Sequence, residues 1–148
     1  MSDSTLEVIH LEECLRLLRA NAVGRIAVLD DGYPLILPVN YRVAESDRPM
    51  LVAIRTRVGN VIDRSGPPVA FEVDGIDTQH RSGWSVVVRG KLYHVVDMPQ
   101  HSSRDAVDPQ PWLHDDRDSW LLIDPEVITG RRLLAVDAEW AFHIRAYL

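Results

Sequence analysis

Arg55 and Thr56 are adjacent, and they close an apolar run, Met50-Leu51-Val52-Ala53-Ile54, that reads as a strand. A guanidinium presents a planar fork of N–H donors, and a threonine hydroxyl adds a donor beside it. A phosphate monoester carries about −1.5 to −2 charge near neutral pH and accepts through several oxygens. Residues Arg57 to Ser65, closed by Ser-Gly-Pro-Pro, read as a brief helix. Its first N–H groups would add donors and a favourable dipole. Charge, fork and helix start thus converge on a site for a small anion. The same residues admit a plainer reading, in which Arg55 is a surface arginine paired with a nearby carboxylate.

Other reactive side chains are scattered. The histidines are His10, His80, His94, His101, His114 and His143, and none has the H-x-x-x-H or Cys/His spacing of a zinc site. No dedicated metal site is expected. The single cysteine, Cys14, falls on the apolar stripe of a helix, where a buried, inert thiol is expected. There is no G-x-S-x-G elbow, no P-loop and no G-x-G-x-x-G. No side chain stands out as a catalytic acid or base.

The elements that must position Arg55 and Thr56 follow from the apolar period. Leu11, Cys14, Leu15, Leu17 and Leu18 have the offsets of an amphipathic helix over Leu11 to Ala20, with Asn21 and Gly24 as stop signals. From Gly24 onward the pattern is that of strands. These are 25–29, 34–41, 50–55, 69–74, 84–96 and 120–123, with Asp-Asp-Gly-Tyr at 30–33 as a hairpin turn. Pro34 and Pro38 limit pairing in the second strand, so part of it is expected on an edge or at a bulge. A strand of broken pairing also offers backbone N–H groups to a ligand. Pro99 to Asp118 reads as one long loop, with Trp112 as its anchor, and Ala141 to Tyr147 as a short last element. Short strands with turn signals between them make the fold mainly β, a barrel with small flanking helices.

Composition sets the boundaries. A chain of 148 residues is the usual size of one domain, and residues 1–148 are read as one. The formal net charge is −6, there is one lysine, Lys91, and there is no extended basic run, which argues against nucleic acid as a partner. No segment approaches the roughly 20 apolar residues that span a bilayer. The first residues lack a signal-peptide pattern, so the expectation is a cytoplasmic protein without a membrane partner.

Beyond these patterns, an ordered set of segments resembles one family. Gly24-Arg25-Ile26-Ala27-Val28, Asp31-Gly32-Tyr33-Pro34 and Pro38-Val39-Asn40-Tyr41 are similar to the opening hairpin of the pyridoxamine 5′-phosphate oxidase-like proteins. Arg55-Thr56-Arg57-Val58-Gly59 is similar to the family's phosphate segment, and Val69 to Asp74 and Gly83 to Gly90 to its next two strands. The match runs from about Leu11 to Val96, with a weaker echo at Pro111-Trp112 and Trp120 to Ile123.

The resemblance implies a split β-barrel of about six strands that forms a homodimer and binds FMN in a groove between the subunits. It implies an oxidoreductase in which the flavin passes electrons between a small-molecule donor and acceptor. Alternatives within the family are an F420-dependent reductase and a non-catalytic flavin- or haem-binding protein, His94 and His143 being the histidines considered as haem ligands. The residues it points to are Pro38, Val39 and Asn40 along the flavin ring, Arg55, Thr56 and Asn60 at the phosphate, and Trp84 and Ser85 near the flavin. Trp84 also suits a core or a subunit interface. One departure stands out. Asn60 occupies a position where the family usually has lysine, so a donor is kept and a charge is lost, unless Arg57 or Arg64 turns inward to replace it.

Overall fold

The computed structural model describes residues 6–44, 50–97 and 119–134. A short strand β1 (Leu6–Ile9) leads into helix α1 (Leu11–Ala20). Then come β2 (Val23–Asp30), β3 (Tyr33–Ala44), β4 (Leu51–Thr56), β5 (Pro68–Asp77), β6 (Ser82–His94) and β7 (Ser119–Leu133). A single 3-10 turn, Val95–Asp97, follows β6. The expected loop 99–118, with Trp112, and the expected element 141–147 lie outside the described residues. Among the described residues no helix is long and apolar enough to cross a membrane.

Helix α1 buries Cys14, Leu17 and Leu18, as its apolar spacing requires, while Leu11 at its start is exposed. The Asn21 side-chain amide donates to the Leu17 carbonyl at 2.8 Å and closes the last turn. Tyr41 of β3 ties the helix to the sheet. Its hydroxyl donates to the Leu18 carbonyl at 2.6 Å, and its ring meets Phe71 edge-on at 4.8 Å. Burial pushes the Tyr41 phenol well above its ordinary pKa.

The hairpin between β2 and β3 forms where Asp-Gly predicts it. Asp31 and Gly32 both take positive φ, 49° and 80°, and Asp30 pairs with Tyr33. The strands join in the order β1-β7-β4-β3-β2-β5-β6, and β6 also pairs with β7. Six strands therefore close on themselves in a ring, and β1 attaches outside it along the far end of β7. The core inside includes Ile26, Ile54, Phe71, Val86, Leu121 and Ile123, all fully buried. Gly24 is required by that core, because a Cβ there would lie 2.3 Å from the Phe71 ring.

Three elements differ from the sequence reading. β1 was not expected; with Leu6 and Val8 exposed and only Ile9 buried, it lacks a two-sided apolar signal. β7 runs to Leu133 instead of stopping near Ile123. It carries Pro125 through a bulge of its own, where Glu126 is skipped between the rungs of Arg89 and Gly90 of β6 and a proline is tolerated. Residues 57–65 form successive turns rather than a helix. Gly59 has φ 79°, and the side chains of Asn60 and Asp63 capture backbone N–H groups that a helix would need.

Candidate functional site

The ladder between β3 and β4 starts at Ala44↔Leu51 and ends at Tyr41↔Ile54. Beyond that rung the two strands part. β4 continues against β7, with Arg55 opposite Trp120 and Thr56 opposite Ser119. The stretch of β3 from Tyr33 to Asn40 stays with β2 alone. The edge expected from Pro34 and Pro38 is thus present.

A cavity of about 250 Å³ opens in this fork. Leu37, Pro38 and Val39 form one wall, Arg55, Thr56 and Arg57 the other, and Asn60 and Ile62 the floor. Among the described residues the lining includes two arginines and no acidic residue. Arg55 is half-buried, with its guanidinium carbon 5.6 Å from the centre of the Trp120 ring, a distance that suits a cation–π contact. Thr56 is buried. Asn60 accepts the Ile62 N–H on its side-chain oxygen at 3.3 Å, and only an oxygen can accept, so the amide end left for a ligand is its pair of N–H donors. Donors of both charge classes therefore surround the space. A second depression of about 380 Å³, reaching Gly24, Arg25 and Asp74, shares Pro38 with the first.

The turn behind the cavity is held by one carboxylate. Asp63 accepts the Gly59 N–H at 2.8 Å on one oxygen and the Ser119 hydroxyl, by a short bond, on the other. The His94 Nδ1 lies 3.6 Å from Asp63 and 3.4 Å from the Ser119 hydroxyl. Burial alone would raise the Asp63 pKa, but the bonds from Ser119 and Gly59 and the nearby imidazole outweigh it, and the carboxyl sits below the usual aspartate value. No spacing in the sequence announced this cluster, since Asp63 and Ser119 are 56 residues apart.

Of the residues singled out from sequence, Pro38, Val39, Arg55, Thr56 and Asn60 converge on the cavity, and Arg57 joins them. Asn40 is next to the wall on β3 but does not line it. Trp84 and Ser85 sit on β6, opposite Gly75 and Asp74 of β5, and β5 and β2 lie between them and β3 in the sheet. The Trp84 indole lies over Gly75, where a Cβ would come within 2.5 Å of it, and packs against the core. The helix start invoked for the anion is absent, and the donors come from strand and turn instead. Arg64 does not turn inward. It bonds Asp30 at 2.9 Å and the Leu29 carbonyl at 3.0 Å, on the β2 hairpin.

A sequence model described as pyridoxamine 5′-phosphate oxidase matches residues 10–132. An uncharacterised protein of Mycobacterium tuberculosis, Rv0080, is 34% identical over 137 residues, which cover 89% of this chain and 90% of the relative. Among solved structures, an FAD-binding protein of Mycobacterium smegmatis superposes with a TM-score of 0.61 at 29% identity, covering 86% of this chain and 97% of its own. An FAD-binding protein of Mesorhizobium loti superposes with a TM-score of 0.66 at 28% identity, covering 86% and 96%. The ring with its parted β3 and β4 is the split barrel of these flavin-binding proteins.

Proposed function

The chain belongs to the pyridoxamine 5′-phosphate oxidase family, and from that premise we propose that it binds a flavin nucleotide by its phosphate, in the fork between β3 and β4. The observation that carries this reading is the convergence of Arg55, Thr56, Arg57 and Asn60 on one cavity. Two cations, a hydroxyl and an amide suit a dianionic ester, and Arg57 restores a charge where Asn60 brings none.

A pocket that buries a whole drug-sized ligand holds roughly 300–1,000 Å³. A cavity of about 250 Å³ encloses the phosphate end only. The ring then lies along the unpaired edge of β3, near Pro38, Val39 and Asn40, where backbone groups are not taken up by β4. We take FMN as the ligand, as the phosphate monoester fits the donor set. FAD is the second reading, favoured by the two FAD-binding relatives and by Arg57, which is exposed beside the cavity and can meet a second phosphate.

A second copy of the chain completes the site in this proposal. Leu29, Tyr33 and Ile36 of the β2–β3 hairpin are all more than half exposed, an apolar surface that suits a homodimer. Trp84 and Ser85, remote from the cavity in their own subunit, would reach the flavin of the partner. When bound, the flavin supplies the electron transfer of an oxidoreductase, and the protein supplies position and charge.

Thermal-shift and absorbance titrations of the purified protein with FMN and FAD, alongside Arg55→Ala, test the reading. The expected result is stabilisation that grows with ligand concentration and a tenfold to hundredfold weaker response in the variant, from the loss of a charged hydrogen bond worth about 1.5–3 kcal/mol. No shift with either nucleotide rejects it.

A further inference from the structure

We propose that Asp63 is the positioning residue of the phosphate site, holding the donors of the turn in register with those of β4; this rests on the phosphate reading above. Thr56 and Asn60 face the same cavity from different elements, a strand and a turn, and something must fix their separation. In the β4–β7 ladder Thr56 is opposite Ser119, and the Ser119 hydroxyl donates to Asp63. The other Asp63 oxygen accepts the N–H of Gly59, whose φ of 79° makes the bend that returns the chain to Asn60. The Asp63 N–H itself donates to the Asn60 carbonyl at 2.8 Å. One carboxylate thus links the rung that carries Thr56 to the bend that carries Asn60.

The chemistry explains why the residue is an aspartate. Two donors, one hydroxyl and one N–H, arrive from opposite sides, and each needs its own acceptor oxygen. An asparagine offers one acceptor oxygen and can meet the Ser119 hydroxyl only by donating to it, so the charge-assisted bond to the rung is lost and the hold on rung and turn is weaker. An aspartate beside an anion site would also repel the ligand unless its charge were engaged. Here both oxygens are engaged, with the His94 ring close to one of them.

The test measures the discrimination between FMN and riboflavin, which differ by the phosphate, in the wild type, Asp63→Asn and Ser119→Ala. Binding is followed by quenching of flavin fluorescence, with amide hydrogen exchange at Gly59 as a second readout. Asp63→Asn is expected to weaken FMN about tenfold or more, to leave riboflavin within about twofold, and to speed exchange at Gly59. Ser119→Ala is expected to move both readouts in the same direction by less. If FMN and riboflavin weaken together, the residue only supports the fold, and the proposal is wrong. It is equally wrong if Asp63→Asn discriminates as well as the wild type. Should Asp63→Asn fail to fold, Ser119→Ala decides by the same criteria. A wild type that binds FMN no more tightly than riboflavin overturns the phosphate reading itself, and this proposal with it.

Discussion

Along β5, β6 and β7 the ladder is continuous except for one bulge, running from Pro68↔Lys91 to Asp77↔Ser82 on one side of β6 and from Gly83↔Leu133 to His94↔Leu121 on the other. Between β3 and β4 it stops after Tyr41↔Ile54. In the closed seam the backbone groups are used on one another. In the open seam the strands diverge, and Arg55, Thr56 and Arg57 line one side of the cavity between them. The arginines show the same contrast. Arg25, on the side of β2 that pairs with β5, is gripped by Glu72 at 2.9 Å and Asp74 at 3.2 Å. Arg55, in the open seam, rests against the Trp120 ring. An aromatic face meets the flat side of a guanidinium, whereas a carboxylate takes its N–H edge.

The contrast can be broken most severely from the closed side. A Cβ at Gly90 would lie 2.0 Å from the Asp124 carbonyl, across the bulge that lets Pro125 pass. Gly90→Ala is expected to cost roughly 2–4 kcal/mol. At about 2–4 °C per kcal/mol for a chain of this size, the melting temperature should fall by roughly 5–15 °C. A variant that melts with the wild type would show that the closed seam is slack. On the open side the effect should fall on binding. Arg55→Ala is expected to lose about 1.5–3 kcal/mol of flavin-nucleotide affinity, more than it loses in stability. Urea unfolding beside ligand titration separates the two, and a larger loss of stability than of binding would return Arg55 to a structural role.

Tyr41 stands at the last paired rung and sharpens the boundary between the seams. Tyr41→Phe removes the donor to the Leu18 carbonyl and is expected to cost about 1–2 kcal/mol. The phenol's pKa is raised in the folded state, so its contribution is complete below the ordinary value near 10 and is lost as the pH rises above it. Wild-type stability should decline there, and the phenylalanine variant should decline less over the same range, as thermal melts at several alkaline pH values would reveal. The smallest effect belongs to Asp63. Its pKa is lowered in the folded state, so its contribution is present above the unfolded value near 3.8 and disappears as the pH falls through the folded one. Acid unfolding of Asp63→Asn should therefore be flatter than that of the wild type below about pH 4. Parallel curves would remove the charge from the account.

How much of this could be read from sequence depends on how local the signal is. Helix α1, the Asp31-Gly32 hairpin and β4 were legible because each is written in consecutive residues: an apolar stripe, two positive-φ positions, an apolar run ending in Arg55 and Thr56. The cavity was legible in part, through Pro38 and the pair Arg55-Thr56. The turn at 57–65 was misread as a helix because its conformation is decided by Asp63 and Asn60 bonding their own backbone, which propensity does not register. The far half of β7 was hidden by Asp124-Pro125-Glu126, a sequence that signals a turn and is carried here by a bulge in β7 itself, where Glu126 is skipped between the rungs of Arg89 and Gly90. The Asp63, Ser119 and His94 cluster joins three distant segments, and only the ring's closure brings them together.

The most direct test of the open seam as a phosphate site is a calorimetric titration of the wild-type protein with FMN and, under the same conditions, with riboflavin. FMN is expected to bind at least about tenfold more tightly, the contribution of one charged hydrogen bond or more. Equal affinities, or an FMN dissociation constant above the millimolar range, would contradict it.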